Sequence, residues 1–308
     1  MKVITAPAFY NTGSAYATRV AQTVTFDGPI NIQGGYANGG GAPYDGVVDA
    51  GGGGNWTTIQ AGDDALDGGN FTMLVKSGTY AESPTISTNN ATIVFEPGTD
   101  IQGLITLSGN NISLIFGGGC DIDGLLVSGD DCYINGGGWD TIVDGGNTID
   151  AAVISGDDCI LENITLNNAT SGSHTKKGLF LTGLRASTIR VKVLDASQHA
   201  MASSAGGDDW LCQGCVILGA DDGGIVVDAP RARIIGNRVI NVGADGISLG
   251  SGGDDSLATG NVVENAGGDT IIISGTGDDC CVVANRLDGA VSNTAGTSTV
   301  ASNEETAF

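Results

Sequence analysis

The asparagines Asn237, Asn261 and Asn285 stand 24 and 24 residues apart, and Asp245 and Asp269 keep the same interval. A polar residue that returns every two dozen positions marks a chain built from stacked units, each too small to bury its own apolar side. The turn Gly-Asp-Asp, used as a ruler, places matching positions at Thr88, Gly109, Gly129, Gly156, Gly183, Gly207, Ala229, Gly253 and Gly277. A short apolar strand follows each mark (ISLIF, ARIIGN, CCVVAN), and others precede them (LITLS, GIVV, TIIIS). Steps of 20 to 27 residues, carrying two or three such strands each, predict an all-β, single-stranded parallel β-helix of about ten coils, roughly 4.8 Å apart.

Within such a coil the asparagines have a physical reason. Asn tolerates left-handed backbone at a tight corner. Stacked on an Asn one coil away, it passes its amide hydrogen bonds along the column. Asn237, Asn261 and Asn285 are therefore expected to form a structural ladder.

The 308 residues are enough to bury a sizeable core. Gly 52 without a three-residue period favours a turn-dense β architecture over collagen, and 41% hydrophobic residues excludes disorder. A formal charge of −23 has the wrong sign for a nucleic-acid surface, which removes DNA and RNA as partners; it suits a saline medium or a divalent cation. No run of apolar residues is long enough to insert into a membrane. The first residues lack the apolar stretch of a secretory signal, which predicts synthesis in a cytoplasm. Seven cysteines scattered through the chain read as free, buried thiols, and the lone Cys212-x-x-Cys215 falls in core and ladder phase.

Residues 56–80, WTTIQAGDDALDGGNFTMLVKSGTY, resemble the opening of pectate-lyase-like β-helix proteins and phage tailspikes. That resemblance implies a right-handed helix, in line with the crossover rule, with a short capping helix over 56–69 that plugs the apolar column. It covers about residues 56–300 and speaks for fold rather than reaction. The expected organisation is a non-repeating attachment segment at 1–55 ending in a Gly-rich joint, the cap, the β-helix at 70–300 and a tail at 301–308. GDDC at 129, 156 and 277 is similar to the acidic signature of polygalacturonases, but three copies at repeat spacing argue for turns. That family's Asn-Thr-Asp, Gly-His-Gly and Arg-Ile-Lys motifs are absent.

Chemistry is sought where the repeat pattern breaks. Aligning each polar corner gives the column Gln102, Asp123, Asp150, Lys177, His199, Asp222, Asp245 and Asp269. In its middle a cation, an imidazole and carboxylates meet, the groups that sugar-cleaving chemistry needs. An enzyme would use Lys177, His199, Asp221, Asp222 and Asp245, with a histidine pKa raised by the acids. The competing explanation is that Asp before Gly caps turns in any β-helix. In the Gly-Asp-Asp column Arg185 and Arg231 interrupt the acids and relieve repulsion between coils. Asp254 and Asp255 over Asp278 and Asp279 lack such a cation, which makes Ca²⁺ the one candidate cofactor. Trp56, Trp139 and Trp210 are candidate sugar-stacking rings.

Two classes of function compete. One is a virion protein, a head-decoration or tail-spike subunit of a phage-like particle. It would be made in the host cytoplasm, be extracellular after release, dock on other virion proteins through its N-terminal segment and take host surface polysaccharide as ligand. The other is an enzyme that cleaves or epimerises a polysaccharide, as a lyase or glycoside hydrolase. The virion reading is favoured, because lyases acting on uronates need cations and Lys+Arg total 12. The tailspike resemblance and the default of closed symmetry imply a homotrimer.

Overall fold

Strands of two to five residues stack into three parallel sheets, of 12, 10 and 11 strands. The computed structural model describes residues 44–146, 149–168, 176–274, 279–294, 297–301 and 303–305. Most of the expected attachment segment, residues 1–43, lies outside them. Each coil gives one strand to each sheet in turn. The first coil runs through Thr72–Val75, Thr79–Tyr80 and Thr85–Ile86, the next through Thr92–Phe95, Asp100–Ile101 and Ile105–Leu107. We call these the first, second and third sheets.

The short strands follow from the sequence alternation. In the first sheet the middle residue of a three-residue strand points inward; in the third sheet the two outer residues do. Stacked in register, inward residues form continuous apolar rows such as Ile93, Leu114, Ile134 and Leu161. The row continues through Thr188, Cys212, Ile234, Ala258 and Val282. Thr188 is its one polar member, and its hydroxyl accepts the buried indole N–H of Trp210 at 3.0 Å. Two polar groups inside the core thus satisfy each other. Six of the seven cysteines are buried and all are free, Cys212 and Cys215 in the core among them.

The Gly-Asp-Asp column is a row of left-handed corners. Asn70, Asn90, Asn111, Asp131, Asp158, Arg185, Asp209, Arg231, Asp255 and Asp279 all have φ between 55° and 61°. Asn and Asp are the residues that tolerate this conformation best after glycine. The two arginines occupy it at some local cost.

A seven-residue helix, Ile59–Ala65, covers the first coil. The Glu82 carboxylate accepts the N–H groups of Ile59 and Gln60, at 2.6 and 3.1 Å. Gln60 Oε1 accepts the N–H of Thr85 at 2.8 Å, and buried Asp63 accepts that of Ser87 at 3.1 Å. These donors flank the edge strand of the third sheet, so helix side chains stand in for a preceding strand and leave no open edge there. Asp63, 1% exposed, is thus an anchor. The first sheet starts earlier than expected: Gly46–Val48 pairs with Thr72–Val75, inside the segment assigned to attachment. At the other end Thr299–Ala301 and Glu304–Glu305 add a last partial coil.

Candidate functional site

The sequence-predicted column lies at the corner entering the third sheet. Ala152, Leu179, Met201, Ile225, Ile247 and Ile271 pair in register there. Two residues ahead of them stand Asp150, Lys177, His199, Gly223, Asp245 and Asp269. Asp222 is one residue out of phase, a correction to the sequence alignment. An Asp-Gly pair followed by a second glycine can be set in either register, and strand pairing puts Gly223 in the column.

Three members do one job. Asp150 Oδ1 accepts the Lys177 N–H at 2.8 Å, His199 Nδ1 the Gly223 N–H at 3.2 Å, and Asp245 Oδ1 the Asp269 N–H at 2.9 Å. Each side chain caps the backbone of the next corner. His199 Nδ1 also lies 3.5 Å from the Asp222 carboxylate, reached diagonally. Lys177 instead folds over the Phe180 ring, its Nζ 4.4 Å from the centroid. Exposed Asp221 gives its backbone N–H to Ala196 O at 2.9 Å. The structure therefore does gather Lys177, His199 and Asp222, with Asp245 one coil on.

The electrostatics reverse an expectation. Burial pushes the His199 pKa below its usual value; Asp222 opposes that, and the positive charge of Lys177 reinforces it. The ring is therefore neutral at pH 7, with the Nδ1 lone pair directed at Gly223, and the contact with Asp222 is not an ion pair. The expected rise fails because burial and the nearby lysine outweigh the carboxylates of Asp222 and Asp228.

The asparagine column runs along the interior corner after the first sheet. Asn261 Oδ1 accepts both the N–H of Asn237 at 2.9 Å and its Nδ2 at 3.1 Å. Asn285 does the same for Asn261, at 2.9 Å each, and Asn303 for Asn285, at 3.0 Å each. At the other end Asn237 accepts the Cys215 N–H at 2.8 Å. Asn303 is a rung the 24-residue count misses, because the last coil is shorter.

In the Gly-Asp-Asp column each arginine leans toward the preceding coil. Arg185 forms a fork on Asp158, 2.6 Å to each oxygen, and Arg231 binds Asp209 at 2.7 and 3.0 Å. The guanidinium groups hold the Asp158 and Asp209 pKa values below the usual range. Of the suggested calcium residues, Asp278 lies outside the described residues, and Asp254, Asp255 and Asp279 belong to this turn row. Among the described residues no three His, Cys, Asp or Glu side chains converge as a metal would need.

A constellation that sequence reasoning missed sits on the outer face of the first sheet. Glu162 Oε1 accepts the Tyr133 hydroxyl at 2.5 Å and Asn135 Nδ2 at 2.7 Å. Burial, then the bond to Glu162, pushes the Tyr133 pKa up. Glu162 Oε2 faces Arg190 Nη2 at 3.8 Å, and Arg190 Nε donates to Asn163 at 2.7 Å. Above them the corner Gly136–Thr141 carries Trp139, 46% exposed, whose indole N–H donates to Arg190 O at 2.6 Å. Tyr133, Glu162 and Arg190 are 29 and 28 residues apart, so they share no phase and no periodic alignment finds them. The available signal was the GGGW interruption. Of the other tryptophans, Trp210 is fully buried and offers no ring for stacking, and Trp56 is partly buried against the core.

No protein-family model matches the chain, and no curated protein matches it. Solved structures do. The Dettilon tailspike protein superposes with a TM-score of 0.53 at 12% identity. A tailspike mutant of the E. coli bacteriophage HK620, in complex with a pentasaccharide, gives 0.54 at 13%. Each match covers 80% of this chain and 61% of the tailspike, so the chain spans about three fifths of those proteins. Pectate lyase Pel9A matches at 17% identity with a TM-score of 0.43, over 81% of this chain and 74% of its own.

Proposed function

We propose that this chain, which has the right-handed parallel β-helix fold of the tailspikes, is a virion subunit, a head-decoration or tail-spike protein of a phage-like particle. It holds host surface glycans without cleaving them. The observation that carries binding over cleavage is the hydrogen bond from the Gly223 N–H to His199 Nδ1. A general base needs that lone pair for substrate, and here it is spent on a corner; Asp150 and Asp245 each put one carboxylate oxygen to the same use. In this reading the subunits form a homotrimer, and the N-terminal segment docks on other virion proteins. The protein is made in the host cytoplasm and meets its ligand outside, after release.

The alternative, a lyase, epimerase or glycoside hydrolase, is favoured by one contact, His199 Nδ1 at 3.5 Å from Asp222. Incubation with a panel of acidic and neutral polysaccharides separates the two. We expect retention of at least one glycan and no new reducing ends or unsaturated sugars. Turnover abolished by both His199→Ala and Asp222→Asn, with folding intact, would overturn the binding reading. Sedimentation of the free protein checks the trimer, and mass spectrometry of purified particles checks the virion assignment.

A further inference from the structure

We propose that the corner Gly136–Thr141, with the strand residues beneath it, is a platform for a neutral, ring-form oligosaccharide. Trp139 supplies the stacking face, and Glu162 and Arg190 supply hydrogen bonds to hydroxyls. The inference rests on the glycan-binding reading and deepens it by giving the contact a place and a ligand class.

Trp139 is the most exposed large apolar side chain among the described residues, at 46%. An indole left half in water calls for a reason when the same chain buries Trp210 completely. The ring does not hang loose. Its N–H is tied to Arg190 O at 2.6 Å, and its backbone carbonyl accepts the Thr165 hydroxyl at 2.7 Å. The corner is held as well: the N–H groups of Gly136 and Gly138 reach Glu162 O and Asn163 O at 3.0 and 3.1 Å. A ring fixed before its ligand arrives loses little entropy on binding. An apolar ring face beside fixed polar groups is what the C–H face of a sugar ring packs against.

The polar groups are set in the same way. The Glu162 side chain is 15% exposed and its Oε1 is fully engaged by Tyr133 and Asn135. Oε2 meets Arg190 only at 3.8 Å, beyond hydrogen-bonding distance, while the Arg190 side chain is 58% exposed. A hydroxyl placed between them can donate to the carboxylate and accept from the guanidinium. Along the solenoid axis the row reads Ile115, Asn135, Glu162, Ile189, in register. Apolar residues thus flank the polar pair over roughly 14 Å, three inter-strand spacings.

Charge selects the class. The platform's cation is already matched by Glu162, and the whole chain carries −23. A polyuronate would meet repulsion from that excess of negative charge. A neutral chain would not.

The test is a binding titration of neutral oligosaccharides and of polygalacturonate against wild type, Trp139→Ala, Arg190→Gln and Glu162→Gln, with thermal melts as folding controls. We expect neutral ligands to bind wild type, polygalacturonate to be rejected, and affinity to fall at least tenfold in Trp139→Ala and severalfold in the other two. Trp139→Phe should keep part of the affinity. Wild-type binding that all three variants retain would overturn the platform and leave the glycan reading standing. Binding of polygalacturonate alone would overturn the neutral class. Failure of every glycan to bind wild type would sink the glycan reading, and the platform with it.

Discussion

The corner between the first and second sheets is built in two ways within one molecule. From Gly214 to Asn285 it takes two residues, a left-handed one (Gly214, Gly236, Gly260, Ala284) and an inward one (Cys215, Asn237, Asn261, Asn285). In the coil of Tyr133 it runs from Gly136 to Thr141, turns twice through positive φ and lifts Trp139 into solvent. The tight version spends its polar atoms on the backbone of neighbouring coils and has none to offer a ligand. The long version has polar and aromatic atoms beyond what the backbone needs. In a solenoid, a polar residue that keeps the period is doing structural duty, and a functional group is better sought where the period fails.

The comparison can be broken hardest at the ladder. Asn261→Leu would strand two buried donors of Asn237 and the acceptor Ile234 O. At about 1–3 kcal/mol for each unsatisfied buried group, we expect a loss of about 3–5 kcal/mol by chemical denaturation. A loss under about 1 kcal/mol would show that the ladder is ornamental.

Glycines at the two corners give the next contrast. Gly137 has φ 70°, and a Cβ there would stand 2.2 Å from Phe116 O; Gly236 has φ 63° with nothing within 4 Å. Gly236→Ala should cost only the left-handed penalty of about 1 kcal/mol. Gly137→Ala adds a backbone clash, and should cost about 2–3 kcal/mol while shifting the Trp139 indole N–H resonance. Equal losses at both sites would mean the long corner yields freely, contrary to a pre-set platform.

The third contrast is in pH. His199 has a folded pKa below its usual 6.5, so as pH falls the unfolded chain takes up the proton first. Its contribution is complete above about pH 6.5 and declines as pH drops toward the folded value. Stability of wild type measured from pH 8 to pH 5 should fall more steeply than that of His199→Ala. Parallel curves would mean that burial does not hold the ring neutral. The smallest effect is expected for Trp139→Ala on stability, about 0.5–1 kcal/mol for the one indole hydrogen bond to Arg190 O, even as glycan affinity falls at least tenfold.

How far the sequence could be read follows the same division. The coils, the turn phase of the Gly-Asp-Asp row and the inward phase of Cys212 were legible because strand stacking forces equal spacing on them; the left-handed corner expected at Asn237, Asn261 and Asn285 instead falls one residue earlier, at Gly236, Gly260 and Ala284. The phase of Asp222 was misjudged by one residue, since a dipeptide such as Asp-Gly carries less register information than a hydrogen-bonded strand. The sign of the His199 shift was misjudged because burial at a corner cannot be counted from neighbouring letters. The Tyr133, Glu162 and Arg190 group was invisible for a different reason: its members come from different phases of three coils and meet only through the width of the sheet. The helix side chains that complete the edge of the third sheet were equally hidden.

The ladder's bonding pattern also bears on how such a gene can change. Each rung gives and receives only through its immediate neighbours, and Asn237, Asn261 and Asn285 are interchangeable in what they touch. An in-frame duplication or deletion of one 24-residue coil in that stretch would therefore find matching partners on both sides. The same event across Gly136–Thr141 would copy or erase the Trp139 corner whole. The asparagine-ladder coils can thus change in number without losing a partner, while the Trp139 corner is gained or lost as a unit.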